Sequence, residues 1–248
     1  MLHIPSPDNK RLVWYLAMEE YMAQHVADQE IFFSWIVSPT VIFGRHQVME
    51  DEVNIPFCHE HGVQMYRRKS GGGCVYADRG NLMLSYITPD THSEQVFQRY
   101  LDIISDALRQ LGFPAVKSEH NDILIDGHKV SGNACYALPT GTIVHGTLLY
   151  NVDFSALQQA ITPSKEKLAK HGVHSVRQRV GNLVDLQGMI PDFEQHINAV
   201  AMQSIENIAK YFGDTLCNRS RALTPEEIAA IDVIEQTYLA PAFIAGKA

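Results

Sequence analysis

Three consecutive glycines, Gly71, Gly72 and Gly73, lie between two strand-forming runs at 63–66 and 74–76. No other feature restricts the fold of this chain as much. Glycine has no Cβ and reaches φ > 0 cheaply, so such a run lets backbone N–H groups approach a ligand closely. A P-loop needs GxxxxGK[ST] opening a helix, and a dinucleotide fingerprint needs GxGxxG before a helix. Here the glycines lead into a strand, and both are rejected. Arg67, Arg68, Lys69 and Ser70 precede the run, and Asp78, Gly80 and Asn81 follow it. Guanidinium groups carry fixed charge suited to phosphate or carboxylate, so the segment reads as an anion-binding loop.

The flanking pattern is one of strands interspersed with helices. Residues 10–28 place Leu12, Tyr15, Leu16, Glu19 and Met22 near helical spacing. Residues 31–37 and 40–43 are β-rich and split by Ser38-Pro39, the pattern of a hairpin. A short helix is expected from Pro56 to Gly62, and a strand at 81–88 ended by Pro89. Residues 93–111 carry Val96, Tyr100, Ile103, Ile104, Ala107 and Leu111 on one helical face. Residues 123–125 and 128–130 flank an Asp126-Gly127 turn, and Pro139-Thr140-Gly141 joins 134–138 to 142–152 in a second hairpin. Further helices are expected at 154–160, 193–212 and 225–238. Strictly alternating βαβ units are absent, which indicates an α+β fold, read as one domain over residues 1–248.

Composition narrows the function. A net charge of -8 argues against sequence-independent nucleic-acid binding, which relies on broad phosphate neutralisation. The N-terminus lacks the basic region and apolar core of a signal peptide. No run approaches the roughly 18 apolar residues of a membrane span. Cys58, Cys74, Cys135 and Cys217 form no CxxC pair, so reduced thiols in a cytoplasmic protein are expected, without a zinc site.

Two further constellations carry chemistry. In Asn121-Asp122-Ile123-Leu124-Ile125-Asp126-Gly127-His128-Lys129-Val130-Ser131-Gly132, alternate hairpin residues share a face. Asp122 can point into a site while Ile123 packs away, and Ser131 and Gly132 leave room beside Lys129. An ammonium there can bind a carboxylate and a phosphate together, stabilising charge as an acyl-phosphate bond forms. Asp122 would hold Mg²⁺ or orient that lysine. The third element, Thr142 to Leu149, contains His145-Gly146 inside a strand, which marks a close backbone approach or a pocket wall. His145 admits a structural or a chemical role.

Together RRKSGGGCVYADRGNLMLSY (67–86), NDILIDGHKVSGNA (121–134) and HGTLLYNVD (145–153) resemble the lipoate–protein ligase family across roughly residues 10–240. The resemblance implies a mixed β-sheet flanked by helices, a fold shared with biotin–protein ligases. It implies activation of lipoic acid with ATP and Mg²⁺ to lipoyl-adenylate, then transfer to a lysine of a carrier domain. That carrier is a 2-oxoacid dehydrogenase E2 domain or the glycine-cleavage H protein. Carried over, Arg68 would hold nucleotide phosphate. Gly72, Gly73, Cys74, Val75, Tyr76 and Asn81 would line the lipoyl-adenylate pocket. Lys129 would contact the lipoyl carbonyl and α-phosphate, and Asp122 the metal or adenylate region. Apolar residues around Val75 and Leu148 would house the lipoyl tail.

The same superfamily contains transferases that use a cysteine and no ATP, taking octanoyl or lipoyl groups from acyl-carrier protein. Their cysteine positions correspond to Ser164 and to 116–120, where this chain has no cysteine. Cys74 and Cys135 read as small pocket or core residues. A non-catalytic lipoate-binding protein is the second alternative. Many family ligases carry a further small C-terminal domain, and this chain reaches Ala248 where it would begin. Three readings follow: the protein acts without that domain, a separate accessory polypeptide supplies it as a further partner, or the chain has only the transfer half-reaction.

Overall fold

A computed structural model describes residues 1–26, 28–161, 180–187 and 204–246. Its main sheet comprises β1 (Leu2–His3), β2 (Ile31–Trp35), β6 (Asn81–Thr88), β7 (Val116–Lys117), β8 (Asp122–Ile125), β9 (His128–Leu138), β10 (Gly141–Leu149) and β11 (Arg219–Ser220), in the order β11-β1-β2-β6-β10-β9-β8-β7. A second sheet holds β3 (Thr40–Phe43), β4 (Gln64–Arg67) and β5 (Val75–Ala77), ordered β4-β3-β5. Both sheets mix parallel and antiparallel pairs.

The Asp126-Gly127 hairpin forms as the sequence suggests, with both residues at positive φ (47° and 76°), the geometry two-residue turns favour. The expected 31–37/40–43 hairpin does not form. β2 pairs with β1 and β6, whereas β3 pairs with β4 and β5. Ser38-Pro39 instead carries the chain from one sheet to the other. The two glycine-flanking strands also do not pair with each other; both add to β3. The short strands β1, β7 and β11 have no clear pattern in the sequence.

Alternation along the strands separates two apolar layers. Leu82, Leu84 and Tyr86 of β6 and Val144 and Leu148 of β10 pack with α4 (Ser93–Gln110), with α7 (Ile205–Leu216) in the same layer. Met83, Ile87 and Ile143 pack on the other face with α1 (Leu12–His25). α1 is buried almost all round from Leu12 to Glu19, because α8 (Pro225–Leu239) covers its outer side. A capping box at Thr224 and Glu227 and Pro225 in the first turn set where α8 begins. A third cluster, under the small sheet, includes parts of α2 (Met49–Glu52), α3 (Ile55–Glu60) and α5 (Phe154–Ala160). α6 (Leu183–Gln187) and α9 (Pro241–Ile244) complete the described elements. Of the expected 193–212 helix, residues 193–203 lie outside the described residues, as does Ser164.

Candidate active site

The α1-facing side of the main sheet carries Asn81, Met83 and Ser85 on β6, His145 and Thr147 on β10, and Trp35 on β2. β9 extends this face. Ala134 lies opposite His145, so Gly132, two residues away, shares the His145 side. Gly132 is what seats the lysine. A Cβ there would lie 2.5 Å from Lys129 Nζ and 2.6 Å from its Cε. Val130 is an extra residue, because Ile123 faces Ser131 while Leu124 faces Lys129. This bulge re-aims Lys129 onto the face of Gly132. There its Nζ lies 2.7 Å from Asp122 Oδ1, with side-chain exposures of 20% and 13%. Asp122 and Lys129 thus stand within ion-pairing distance of each other.

A second layer holds that hairpin in register. Asn121 Nδ2 donates to the Asn133 carbonyl at 2.8 Å, and Asn133 Nδ2 returns a bond to the Asn121 carbonyl at 2.9 Å. Gly146 makes room for this clamp, since a Cβ there would sit 1.9 Å from Asn133 Oδ1. The glycine of the His145-Gly146 pair is therefore explained by packing on the face opposite the histidine.

Arg68 occupies a different place from the expected phosphate ligand. It is buried, donating to the carbonyls of Gly71 (2.7 Å), Gly73 (2.7 Å) and Ile42 (3.2 Å). Burial pulls its pKa down to about 10, which leaves it charged at neutral pH. In a trans peptide the carbonyl and the following N–H point opposite ways. Drawing the Gly71 and Gly73 carbonyls toward Arg68 thus turns the N–H groups of Gly72 and Cys74 away from it. Gly72 takes φ +90°, open to glycine, and Gly44 allows its carbonyl to approach. Arg67 is likewise buried, donating to the carbonyls of Gly44, Arg45, Gln47 and Ile244. Lys69 pairs with Glu20 at 2.6 Å. The cations of the motif build the loop and dock it.

The loop's other residues diverge. Val75 packs with the α1-side layer that contains Trp35 and Met83, whereas Cys74 and Tyr76 pack into the cluster under the small sheet. Leu148, expected near the acyl tail, is instead fully buried against the α4 side. The alternation of β10 puts His145 and Thr147 on the site face and Leu148 on the reverse. Asn81 is wholly buried, and both its side-chain polar atoms lack hydrogen-bond partners. Such orphaned groups are rare, and this one stands on the site face beside Met83.

Glu19 and His145 form a contact that sequence reasoning missed. His145 Nδ1 is 2.8 Å from Glu19 Oε2, and His145 Nε2 is 2.7 Å from Ser70 Oγ. The available signal was a glutamate at an apolar position of a helix. Cys135 faces the α4 side, its Sγ 4.0 Å from the Ser93 carbonyl, and burial pushes its pKa up to about 11. That thiol stays protonated at neutral pH, unlike an activated nucleophile. Among the described residues, no three His, Cys, Asp or Glu side chains cluster as a metal site, and no helix is long and apolar enough to cross a membrane.

Residues 13–205 match the family model of the lipoyl protein ligase A/B catalytic domain. The chain is similar to lipoate-protein ligase LplJ of Bacillus subtilis, 36% identical over 187 residues that are 73% of this chain and 56% of that protein. It is similar to lipoate–protein ligase 1 of Staphylococcus aureus, 38% identical over 170 residues, 68% of this chain and 52% of that one. The chain thus spans about half the length of these relatives. Its fold is similar to that of a bi-partite lipoate protein ligase from Thermoplasma acidophilum, solved in a study with its E2 lipoyl domain. The TM-score is 0.79 at 24% identity, covering 100% of this chain and 96% of that chain. It is also similar in fold to a lipoate-protein ligase A bound with ATP, with TM-score 0.78, 23% identity and coverage of 100% and 98%. This chain belongs to the lipoyl protein ligase A/B catalytic domain family.

Proposed function

We propose that this chain is the catalytic part of an ATP-dependent lipoate–protein ligase, joining lipoate to AMP and passing the lipoyl group to a carrier lysine. The observation that carries it is the Lys129–Asp122 pair over Gly132, on the same sheet face as the orphaned Asn81 amide and as His145, which Ser70 at the start of the glycine loop meets. In the first step a lipoate carboxylate oxygen bonds to the α-phosphorus and pyrophosphate leaves. That step needs positioning and charge neutralisation more than a protein nucleophile. Lys129 supplies an ammonium between carboxylate and α-phosphate, aimed by Asp122. The Gly72 N–H faces phosphate, the Gly73 and Cys74 main chain lines the adenylate, and Asn81 hydrogen-bonds it. Val75, in the apolar layer that contains Trp35 and Met83, packs the acyl chain, and Tyr76 supports the loop from behind. Arg68 acts through the loop.

Asp122, together with nucleotide phosphates, would hold Mg²⁺, which supplies charge neutralisation. One carboxylate suits an ion that keeps its waters and takes phosphate ligands. In the second step the carrier lysine's amine attacks the lipoyl carbonyl, an amide forms and AMP leaves. The named ligases support this substrate assignment. The T. acidophilum study supports an E2 lipoyl domain as carrier, and that protein's bi-partite make-up supports a separate accessory polypeptide as a further partner. The glycine-cleavage H protein is the alternative carrier, and the site of action is the cytoplasm.

The test is intact-mass measurement of a lipoyl carrier domain incubated with this chain, ATP, Mg²⁺ and lipoate. The carrier should gain one lipoyl group, with pyrophosphate release that needs both ATP and lipoate. Gain only from octanoyl-carrier protein without ATP would establish the transferase instead. An unchanged carrier mass, even with synthetic lipoyl-adenylate, would leave a binding protein without turnover.

A further inference from the structure

We propose that Ser70, His145 and Glu19 form a nucleophile, base and orienter that hydrolyse activated acyl groups through an acyl-Ser70 intermediate, independently of ATP and of the ligase reaction. With an ionised carboxylate and a neutral imidazole, donor and acceptor are set at each link of this hydrogen-bond chain. The Trp35 indole N–H can only donate, and does so to Ser85 Oγ at 2.8 Å. Ser85 therefore gives its hydroxyl hydrogen to Glu19 Oε1, at 2.5 Å. The Glu19 carboxylate can only accept, so His145 Nδ1 carries hydrogen toward Oε2 at 2.8 Å. In the neutral ring Nε2 is then the acceptor, and the Ser70 hydroxyl, 2.7 Å away, donates to it. A base held in one tautomer by a buried carboxylate and aimed at a hydroxyl is the arrangement that activates serine.

The loop supplies the remaining part. Gly71 and Gly72 follow the serine, are exposed, and their N–H groups have no acceptor among the described residues. Two such donors beside a nucleophile can face a developing oxyanion. Ser70 itself is buried, so an acyl carbonyl must reach it along the glycines. The space there is open, since a Cβ at Gly71 or Gly73 would meet nothing within 4 Å.

In the first step Ser70 Oγ bonds to the acyl carbonyl carbon while its proton passes to His145 Nε2. The bond to the leaving group then breaks. An alkoxide or thiolate leaving group takes the proton from Nε2, whereas a phosphate leaves as the anion and the proton goes to solvent. Water next adds to the acyl-Ser70 ester and gives a proton to Nε2. Release of the carboxylic acid returns that proton to Ser70.

The test uses the full chain with p-nitrophenyl octanoate and no ATP or carrier. A fluorophosphonate reagent, with peptide mapping of its adduct, provides the second measurement. Burst release of p-nitrophenolate and an adduct on Ser70 are expected. In Ser70→Ala the adduct should vanish, and in Ser70→Ala and His145→Asn turnover should fall by about 10²- to 10⁴-fold, with melting transitions retained. Cys135→Ser should keep the wild-type rate, which excludes that thiol as the source. A wild-type rate in folded Ser70→Ala overturns the proposal. So does an adduct mapped elsewhere, or none at all with hydrolysis at the buffer rate, and the mapping decides even if a variant fails to fold. Carrier lipoylation measured separately tells failure of this activity from failure of the ligase reading.

Discussion

Replacing Gly132 by alanine should strike catalysis while sparing the fold. The added Cβ would lie 2.5 Å from Lys129 Nζ, 2.6 Å from its Cε and 3.8 Å from Asp122 Oδ1. Ordinary non-bonded contact begins near 3.5 Å, so the ammonium must retreat by about 1 Å. Its atoms end a flexible side chain, so the lysine moves rather than the strand. Lengthening the 2.7 Å pair by that amount weakens its attraction by about 1–2 kcal/mol at an effective dielectric near 20. Alanine in a strand returns about 0.5–1 kcal/mol relative to glycine, so the net loss is about 1.5 kcal/mol at most and the melting temperature should fall by about 6 °C at most. A 1 Å misplacement in an active site costs about 10²-fold in rate. Carrier lipoylation followed by intact mass, beside a thermal melt, reads both quantities. A wild-type rate in Gly132→Ala would refute the placement of Lys129 at the chemistry. Loss of the cooperative melt would instead make Gly132 a structural residue.

Gly146→Ala should behave in the opposite sense, because its Cβ would meet the locked Asn133 amide at 1.9 Å. A destabilisation of about 1–3 kcal/mol in urea unfolding is expected. Arg68→Ala should cost about 3 kcal/mol, because the carbonyls of Gly71, Gly73 and Ile42 lose a buried charged donor. A raised KM for ATP in Arg68→Lys with unchanged stability would show direct phosphate contact instead. Cys135, with its pKa raised to about 11, should resist alkylation. Its thiolate fraction at pH 8 is about 1 in 1,000, and reactivity rises as pH climbs toward 11. Iodoacetamide labelling of Cys135 at the rate of a free peptide thiol would contradict this.

Local chemistry was legible because it depends on neighbours in the chain. The Asp126-Gly127 turn forms because both residues tolerate positive φ. Asp122 and Lys129 then meet across that hairpin, although the one-residue bulge at Val130 that aligns them left no mark in the sequence. Ser38-Pro39 resembles a hairpin turn in the sequence, yet strand partners are non-local: β2 finds β6, some fifty residues later. The same limit hid the reverse-facing Leu148 and the role of Arg68, whose charge suggested an external anion.

By itself, the sequence determined the α+β class, the glycine loop that leads into a strand, and the lysine hairpin. Residue type and short spacing suffice for those. The tertiary structure alone decided which groups the cations and the buried glutamate meet. Arg68 turns inward because carbonyls of its own loop surround it, and burial favours such partners over water. Glu19, Ser70 and His145 stand on a helix, a loop and a strand, and packing α1 against the sheet brings them within hydrogen-bond reach.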